Sequence, residues 1–474
     1  MDLDTQAARA DGRGEPRTEG RAAPTAHTKV VATIGPASEE RIGELIDAGM
    51  SVARLNFSHG SDEDFLRRVR AVRAEAAVRM KAVGVLADIQ GPKMRLARFE
   101  GGRRQLHEGE RVRLRQGRGV SAAGEVLFDF GGFVEAVRPG ERVILADGQA
   151  ELVAGTREGD SIVAEVVRAG EIGDRKGVHF PDSALRYELP TEQDRRHIRL
   201  AREAGCDMIG ISFVSKPEEV RAIRELCPEA LMVSKIERMA ALEALDGLLE
   251  ASDGIMVARG DLGVEAELEE LPLIQKSMIE SSRPTRAEVT DVANAVLDGT
   301  DAIMLSAETA VGAHPVEAVA TMCRIARSVE ASQLYRAMPH PAFRAAEQTF
   351  SNATAHAAVQ AAEVLHIGKI VCFTETGNTV RLISRYRPSA EVIALSPHER
   401  TVNHMTVLAH VRPMLFRREP SLEDMLHMAS EMLHARGLAR LGEPIVFVAG
   451  VPSGIASTTN VMKIHRIGEE VKMH

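Results

Sequence analysis

DMIGISFVSKPEEVRAIRELCPEALMVSKIE, residues 207–237, decides the architecture. Its first and last segments, DMIGISF (207–213) and LMVSKI (231–236), are apolar on both faces, as parallel strands covered by helices are. Between them KPEEVRAIREL has the one-sided apolar spacing of an amphipathic helix. The same alternation recurs upstream in KVVATI (29–34), SVARLNF (51–57) and VGVLAD (83–88), and downstream in GIMVA (254–258) and DAIML (301–305). SEERIGELIDAG supplies a helix after the first strand. Repeated βα units of this kind predict an α/β fold of the (β/α)8 barrel type.

Three stretches break the rhythm. Residues 97–178 run through RRQLHEGERVRLRQGRG, VRPGERVILADGQAELVAG and DSIVAEVVRAGEIG, short Val/Ile/Leu segments with Gly-rich turns. They predict a β lid domain inserted after the third strand, leaving 28–96 and 179–345 as the barrel. Residues 346–474 alternate again through KIVCFTE, EVIALS, VRPMLFR and PIVFVAG, a separate C-terminal α/β domain. Residues 1–27 are polar, without an apolar core segment, and predict a disordered arm rather than a secretion signal.

The third irregularity is PLIQKSMIESSRPTRAE (272–288). Leu271, Ile274, Met278 and Ile279 fit one helix face. Thr285 and Glu288 form a capping box for a second helix, with Val289, Val292, Ala293, Val296 and Leu297 inward and Gly299 as its stop. Two helices thus separate the sixth strand from the last, and only seven barrel strands are legible. Strand number, tilt and stagger are linked in a closed barrel, so a lost strand is not a neutral trim.

Composition sets bounds. A net charge of −9 argues against a nucleic-acid binder that works by neutralising phosphates. No run reaches the ~18 apolar residues of a membrane span, so no membrane partner is expected. Cys206, Cys227, Cys323 and Cys372 are scattered without a CxxC pair and read as buried thiols in a reducing compartment. A cytoplasmic location is expected.

Catalytic groups in such barrels sit at the C-terminal ends of strands. Those ends carry Arg54, Asn56, Ser58 and His59, then Asp88, Ser212, Lys235 with Glu237, and Arg259, Gly260 and Asp261. Two carboxylates, Glu237 and Asp261, beside a Lys and an Arg make a metal-plus-anion constellation. Hard oxygen ligands suit Mg²⁺ or Mn²⁺, and the cations would neutralise a phosphoryl group in flight. The alternative is a set of surface ion pairs, which strand ends converging on one rim disfavour.

TKVVATIGPAS, GMSVARLNFSHG, SKIE, SDGIMVARGDLGVE, RPTRAEVTDVANAVLDGTDAIMLSAETA and SRYRPSAEVIAL resemble pyruvate kinase, from about residue 28 to the end. The resemblance implies phosphoryl transfer from phosphoenolpyruvate to ADP, giving pyruvate and ATP, in a cytoplasmic homotetramer with a phosphorylated small-molecule effector. Carried over, Lys235 stabilises the phosphoryl group and Arg54 contacts it. Glu237 and Asp261 hold the divalent metal. Ser212, Gly260 and Asp261 face the substrate. His59, Arg95 and Lys176 contact the nucleotide, and Asp147 is the lid aspartate. Thr374, Thr376, Gly377, Asn378 and Thr379 match the effector turn.

Departures from the family pattern carry their own expectations. In most members a potassium ion is held by residues matching Asn56, Ser58 and Asp88; here the run after strand three is Asp88-Ile89-Gln90-Gly91-Pro92-Lys93. The Lys93 ammonium can stand where that ion sits, as in the potassium-independent branch, so K⁺ should not be required. Between Lys276 and Ser277 about twenty residues of helix, strand and threonine turn are missing, a typical helix–strand step. Their loss should hurt enolate protonation more than metal binding. A shortened paralogue, a barrel re-paired between its sixth and last strands, and a sequence error all fit that gap. At the hinge Phe180-Pro181-Asp182 replaces a Leu-Pro-Gly run, predicting a stiffer lid. Glu375 stands where sugar-bisphosphate-activated members are basic and should weaken such a ligand, favouring a nucleotide or sugar monophosphate. Two further functions stay open: a catalytically impaired paralogue with a ligand-binding role, and a lyase of the related phosphoenolpyruvate/pyruvate barrels.

Overall fold

The computed structural model describes residues 26–146, 148–183, 185, 188–258, 262, 286–337, 349–451 and 459–470, and of residues 286–291 and 336–337 the backbone alone. Seven parallel strands make its largest sheet. They are β1 (Lys29–Thr33), β2 (Met50–Asn56), β3 (Gly84–Ile89), β4 (Met208–Ile211), β5 (Leu231–Ile236), β6 (Gly254–Val257) and β7 (Ala302–Leu305). The order is β6-β5-β4-β3-β2-β1-β7. Helices form between strands where the sequence caps them. Ser61 and Asp64 form a capping box for α1 (Asp62–Val78), and Thr191 and Asp194 do so for α2 (Glu192–Glu203).

Among the described residues the count of seven agrees with the sequence, and none of them supplies an eighth barrel strand. β6 and β7, which would flank it, lie at opposite ends of the sheet, and among the described residues nothing pairs them. Re-pairing of the sixth strand with the last is therefore not seen there. Burial follows: all six residues of β3 are buried, whereas in β6 only Val257 is. The expected helix forms at Arg286–Asp298; Val292 and Val296 are buried, Ala293 and Leu297 are half-buried, and Gly299 ends it at φ 91°. Leu271, Ile274, Met278, Ile279, Thr285 and the Lys276–Ser277 junction lie outside the described residues.

The inserted segment builds its own core around Leu114, Phe128, Phe133, Leu145, Leu152 and Phe180, separate from the barrel core. Two chain segments join it to the barrel as an antiparallel pair. Leu96 N–H donates to Lys176 O at 2.8 Å and Val178 N–H to Met94 O at 3.2 Å. At this hinge Asp182 is clasped by Arg142 of the lid, accepting its backbone N–H at 2.9 Å and its Nη2 at 2.9 Å.

The C-terminal part is a five-stranded sheet with apolar clusters on both faces. It packs on the N-terminal ends of the barrel strands. Lys29 Nζ donates to Val411 O at 2.6 Å, and Arg387 pairs with Asp301 at 2.7 Å. The opposite rim, where strands end, stays open for chemistry. All four cysteines are buried and free, as expected. No described helix is long and apolar enough to cross a membrane.

Candidate active site

Parallel register brings distant residues to one mouth. Asn56 stands opposite Asp88 across β2 and β3, and Asp88 opposite Gly210 across β3 and β4. Ile211 then aligns with Ser234 on β5, which sets Ser212 beside Lys235. Ser212 and Asp88 are 124 residues apart in the chain yet hydrogen-bonded.

Asp88, 1% exposed, is the centre of the cluster. It accepts from Arg54 Nε at 2.7 Å, from Arg54 Nη2 and from Ser212 Oγ at 3.3 Å, with Lys235 Nζ at 3.6 Å. Lys235 Nζ donates to Ser212 Oγ at 2.9 Å and pairs with Glu237 Oε1 at 2.6 Å. The other oxygen of Glu237 accepts Phe213 N–H at 2.7 Å. Arg54 Nη1 also donates to Thr33 Oγ1 at 2.9 Å and reaches Ser306 Oγ at 3.4 Å.

Buried charges cost several kcal/mol each unless paired, and here cations and anions alternate. Burial pushes the Asp88 carboxyl up, but Lys235 and Arg54 outweigh it and hold it below its ordinary value. Burial pulls Lys235 down, and Asp88 and Glu237 more than reverse this, leaving it above the ordinary lysine value. Both groups are therefore charged at neutral pH. Desolvation first, and then Arg95, Arg54 and Lys93, push His59 below the ordinary histidine value.

A cavity of about 320 Å³ opens over this network. It gathers Arg54, Asn56, Ser58, His59, Asp88, Lys93, Arg95, Lys176, Ser212, Lys235 and Glu237, the barrel and hinge residues picked out in the sequence. Gly260, Asp261 and Asp147 lie outside the described residues. Six of the lining residues are Lys or Arg against two carboxylates, in a chain whose net charge is −9. Such a concentration of positive charge suits a polyanionic ligand. The sequence reading named Gln90 only within the run after strand three and missed Arg175 and Phe213, which line the cavity too. Gln90 Nε2 donates to Phe57 O at 2.6 Å, and Arg175 O accepts from Arg95 Nη1 at 3.0 Å. Arg175 adjoins Lys176 in the hinge, which was signal enough to find it; nothing local marks Phe213.

Among the described residues no group of three or more His, Cys, Asp or Glu could hold a metal. The donor chemistry nevertheless fits a hard cation. Glu237 is a 2% exposed carboxylate at a cationic cavity, and Mg²⁺-type ions take one or two protein carboxylates with the rest from water and substrate.

The second candidate site, Thr374–Thr379, closes on itself in part. Gly377, at φ 85°, donates its N–H to Thr374 Oγ1 at 2.9 Å, and Thr379 Oγ1 bonds Thr459 Oγ1. Thr376 and Asn378 are the exposed side chains of the turn. Glu375 corrects the simple electrostatic expectation. It is no bare negative charge, because Arg418 Nη2 lies 2.6 Å and His398 Nε2 2.9 Å from its Oε2.

Comparison with known proteins agrees with this geometry. The family model for the pyruvate kinase barrel domain matches residues 25–283 and 276–319, and that for the pyruvate kinase alpha/beta domain matches 352–465. The two barrel matches overlap where the missing unit was read. Pyruvate kinase of Methylorubrum extorquens is 38% identical over 467 residues, covering 94% of this chain and 98% of its own. Pyruvate kinase of Staphylococcus aureus MRSA252 is 37% identical over 475 residues, covering 94% of this chain and 81% of its own. Both alignments are longer than the share of this chain they cover, so positions in each relative have no counterpart here.

Proposed function

The chain belongs to the pyruvate kinase family, and from that membership we propose that the cavity at the barrel mouth moves a phosphoryl group between phosphoenolpyruvate and ADP through its own named side chains. The observation that carries this reading is the alternation Arg54–Asp88–Lys235–Glu237 beneath a cavity lined by six cations. Lys235 and Arg54 neutralise the phosphoryl oxygens in transit, and Asp88 aims both. His59, Arg95 and Lys176 take the nucleotide at the hinge. Ser212, Gly260 and Asp261 bind the substrate, and Asp147 closes from the lid.

The family requires a divalent metal; Glu237 and Asp261 would hold it, as Mg²⁺ or Mn²⁺, and it would supply positive charge to the reacting oxygens. Lys93 takes the place of potassium beside Asn56, Ser58 and Asp88, so turnover does not need K⁺. A phosphorylated effector binds at Thr374, Thr376, Gly377, Asn378 and Thr379, and the enzyme works as a cytoplasmic homotetramer. The domains divide at 28–96 with 179–345, 97–178 and 346–474. The lyase alternative gives way, since the C-terminal part matches the kinase family's own domain.

A coupled assay with phosphoenolpyruvate, ADP and Mg²⁺ tests the reading. Lys235→Met should lower kcat by about 10²-fold or more, as loss of one preorganised charge does. Unchanged kcat in that variant would sink the assignment. The segment missing between Lys276 and Ser277, where the two barrel-family matches overlap, favours one second reading, an impaired paralogue. Absent turnover with intact binding of oxalate in the presence of Mg²⁺ would establish it.

A further inference from the structure

Phe213 has an unusual backbone. Its φ is 59°, in the left-handed region that a bulky residue occupies only when its surroundings hold it there. Two contacts do so. Its N–H donates to Glu237 at 2.7 Å. Gly91, at φ 63°, lies so close that a Cβ there would meet Ser212 O at 2.6 Å and the Phe213 ring at 3.3 Å. The Phe213 ring in turn faces Lys93, whose Nζ is 5.9 Å from the ring centroid. That distance is within the range of a cation–π attraction. The loop carrying Lys93 is anchored below by Gly91 N–H to the buried Asp194 carboxylate at 3.1 Å.

One strained residue therefore touches, by its backbone, the carboxylate read as a metal ligand and, by its ring, the ammonium read as the built-in monovalent cation. We propose that Phe213 is a positioning residue that seats the Lys93 ammonium at the phosphoryl site in fixed relation to Glu237. The inference rests on the Lys93 reading above. A ring face attracts a cation through its quadrupole, whereas a leucine of similar bulk has none. Removing the ring should leave the Glu237 hydrogen bond in place and weaken the hold on the ammonium. Potassium can then compete for Asn56, Ser58 and Asp88.

Wild type, Phe213→Leu and Phe213→Tyr should be assayed at matched ionic strength with potassium or tetramethylammonium as the sole monovalent cation. The wild type and the tyrosine variant should give equal rates in both salts. The leucine variant should lose about two- to tenfold in tetramethylammonium, in keeping with a cation–π contact. Potassium should recover most of that loss, with half-saturating Mg²⁺ unchanged. A leucine variant that matches wild type in both salts, or loses rate equally in both, would overturn the proposal. A wild type that itself requires potassium refutes the Lys93 reading instead, which keeps the two failures apart.

Discussion

Asp88→Asn is the most searching single change. The substitution keeps shape and removes one negative charge from a site that is 1% exposed. Arg54 keeps an acceptor in the amide oxygen, but it and Lys235 now lie buried with Glu237 as the remaining anion of the network. Breaking a buried pair by removing one partner costs about 3–5 kcal/mol, and the retained amide contacts put this change at the low end, about 3 kcal/mol. At roughly 2–4 °C per kcal/mol for domains of this size, the apparent melting midpoint should fall by about 6–12 °C. The chain has several domains, so the comparison is of midpoints at one scan rate. Linkage adds a signature. Because the folded carboxyl titrates below its ordinary value of 3.8, its contribution is fully present above that value and is lost as pH falls through the depressed folded value. The wild-type advantage over Asp88→Asn should therefore shrink in acid. Lys235 loses the first charge that raises it, so the alkaline limb of kcat should move to lower pH. Thermal melts from pH 3 to 8 and a pH–rate profile measure both effects. A variant with wild-type melting and an unmoved alkaline limb would refute the claim that Asp88 holds the two cations.

Lys93→Glu restores the acidic residue usual in the family and should make activity depend on K⁺ by at least about tenfold, measured against a Na⁺ control; indifference to K⁺ would remove the assigned role. Asp182→Gly opens the clasp to Arg142, a pair about one-third exposed and worth about 0–1 kcal/mol. If lid opening limits turnover, kcat should rise about two- to fivefold with little change in melting, and an unchanged or lower kcat tells against a stiffened hinge. Burial pushes Lys29 down to about 8, below its unfolded value. The unfolded chain then binds the extra proton between those two values, so this group adds stability as pH rises from about 8 to about 10.4. Lys29→Met should abolish that increment in melts at pH 8 and 10; identical pH responses would contradict it.

Much of the molecule is legible from local pattern alone. Alternating apolar runs and capped amphipathic helices specify the βα order, the inserted lid, the separate C-terminal sheet and, among the described residues, the seven barrel strands, because burial of a face imposes a period on nearby residues. The rule that parallel strands end together was enough to nominate Arg54, Asp88, Lys235 and Glu237. Pairings across the sheet were not legible, since they depend on register between segments far apart in sequence. Tertiary structure alone decided that Asp88 holds both Arg54 and Lys235, that Arg418 and His398 sit against Glu375, and that Arg142 clasps Asp182. It alone turned Phe213 to φ 59° between Glu237 and Lys93. A periodic pattern records which side of a strand faces the core; which charge neutralises which is set by a few tenths of an ångström in three dimensions, where no short stretch of letters reaches.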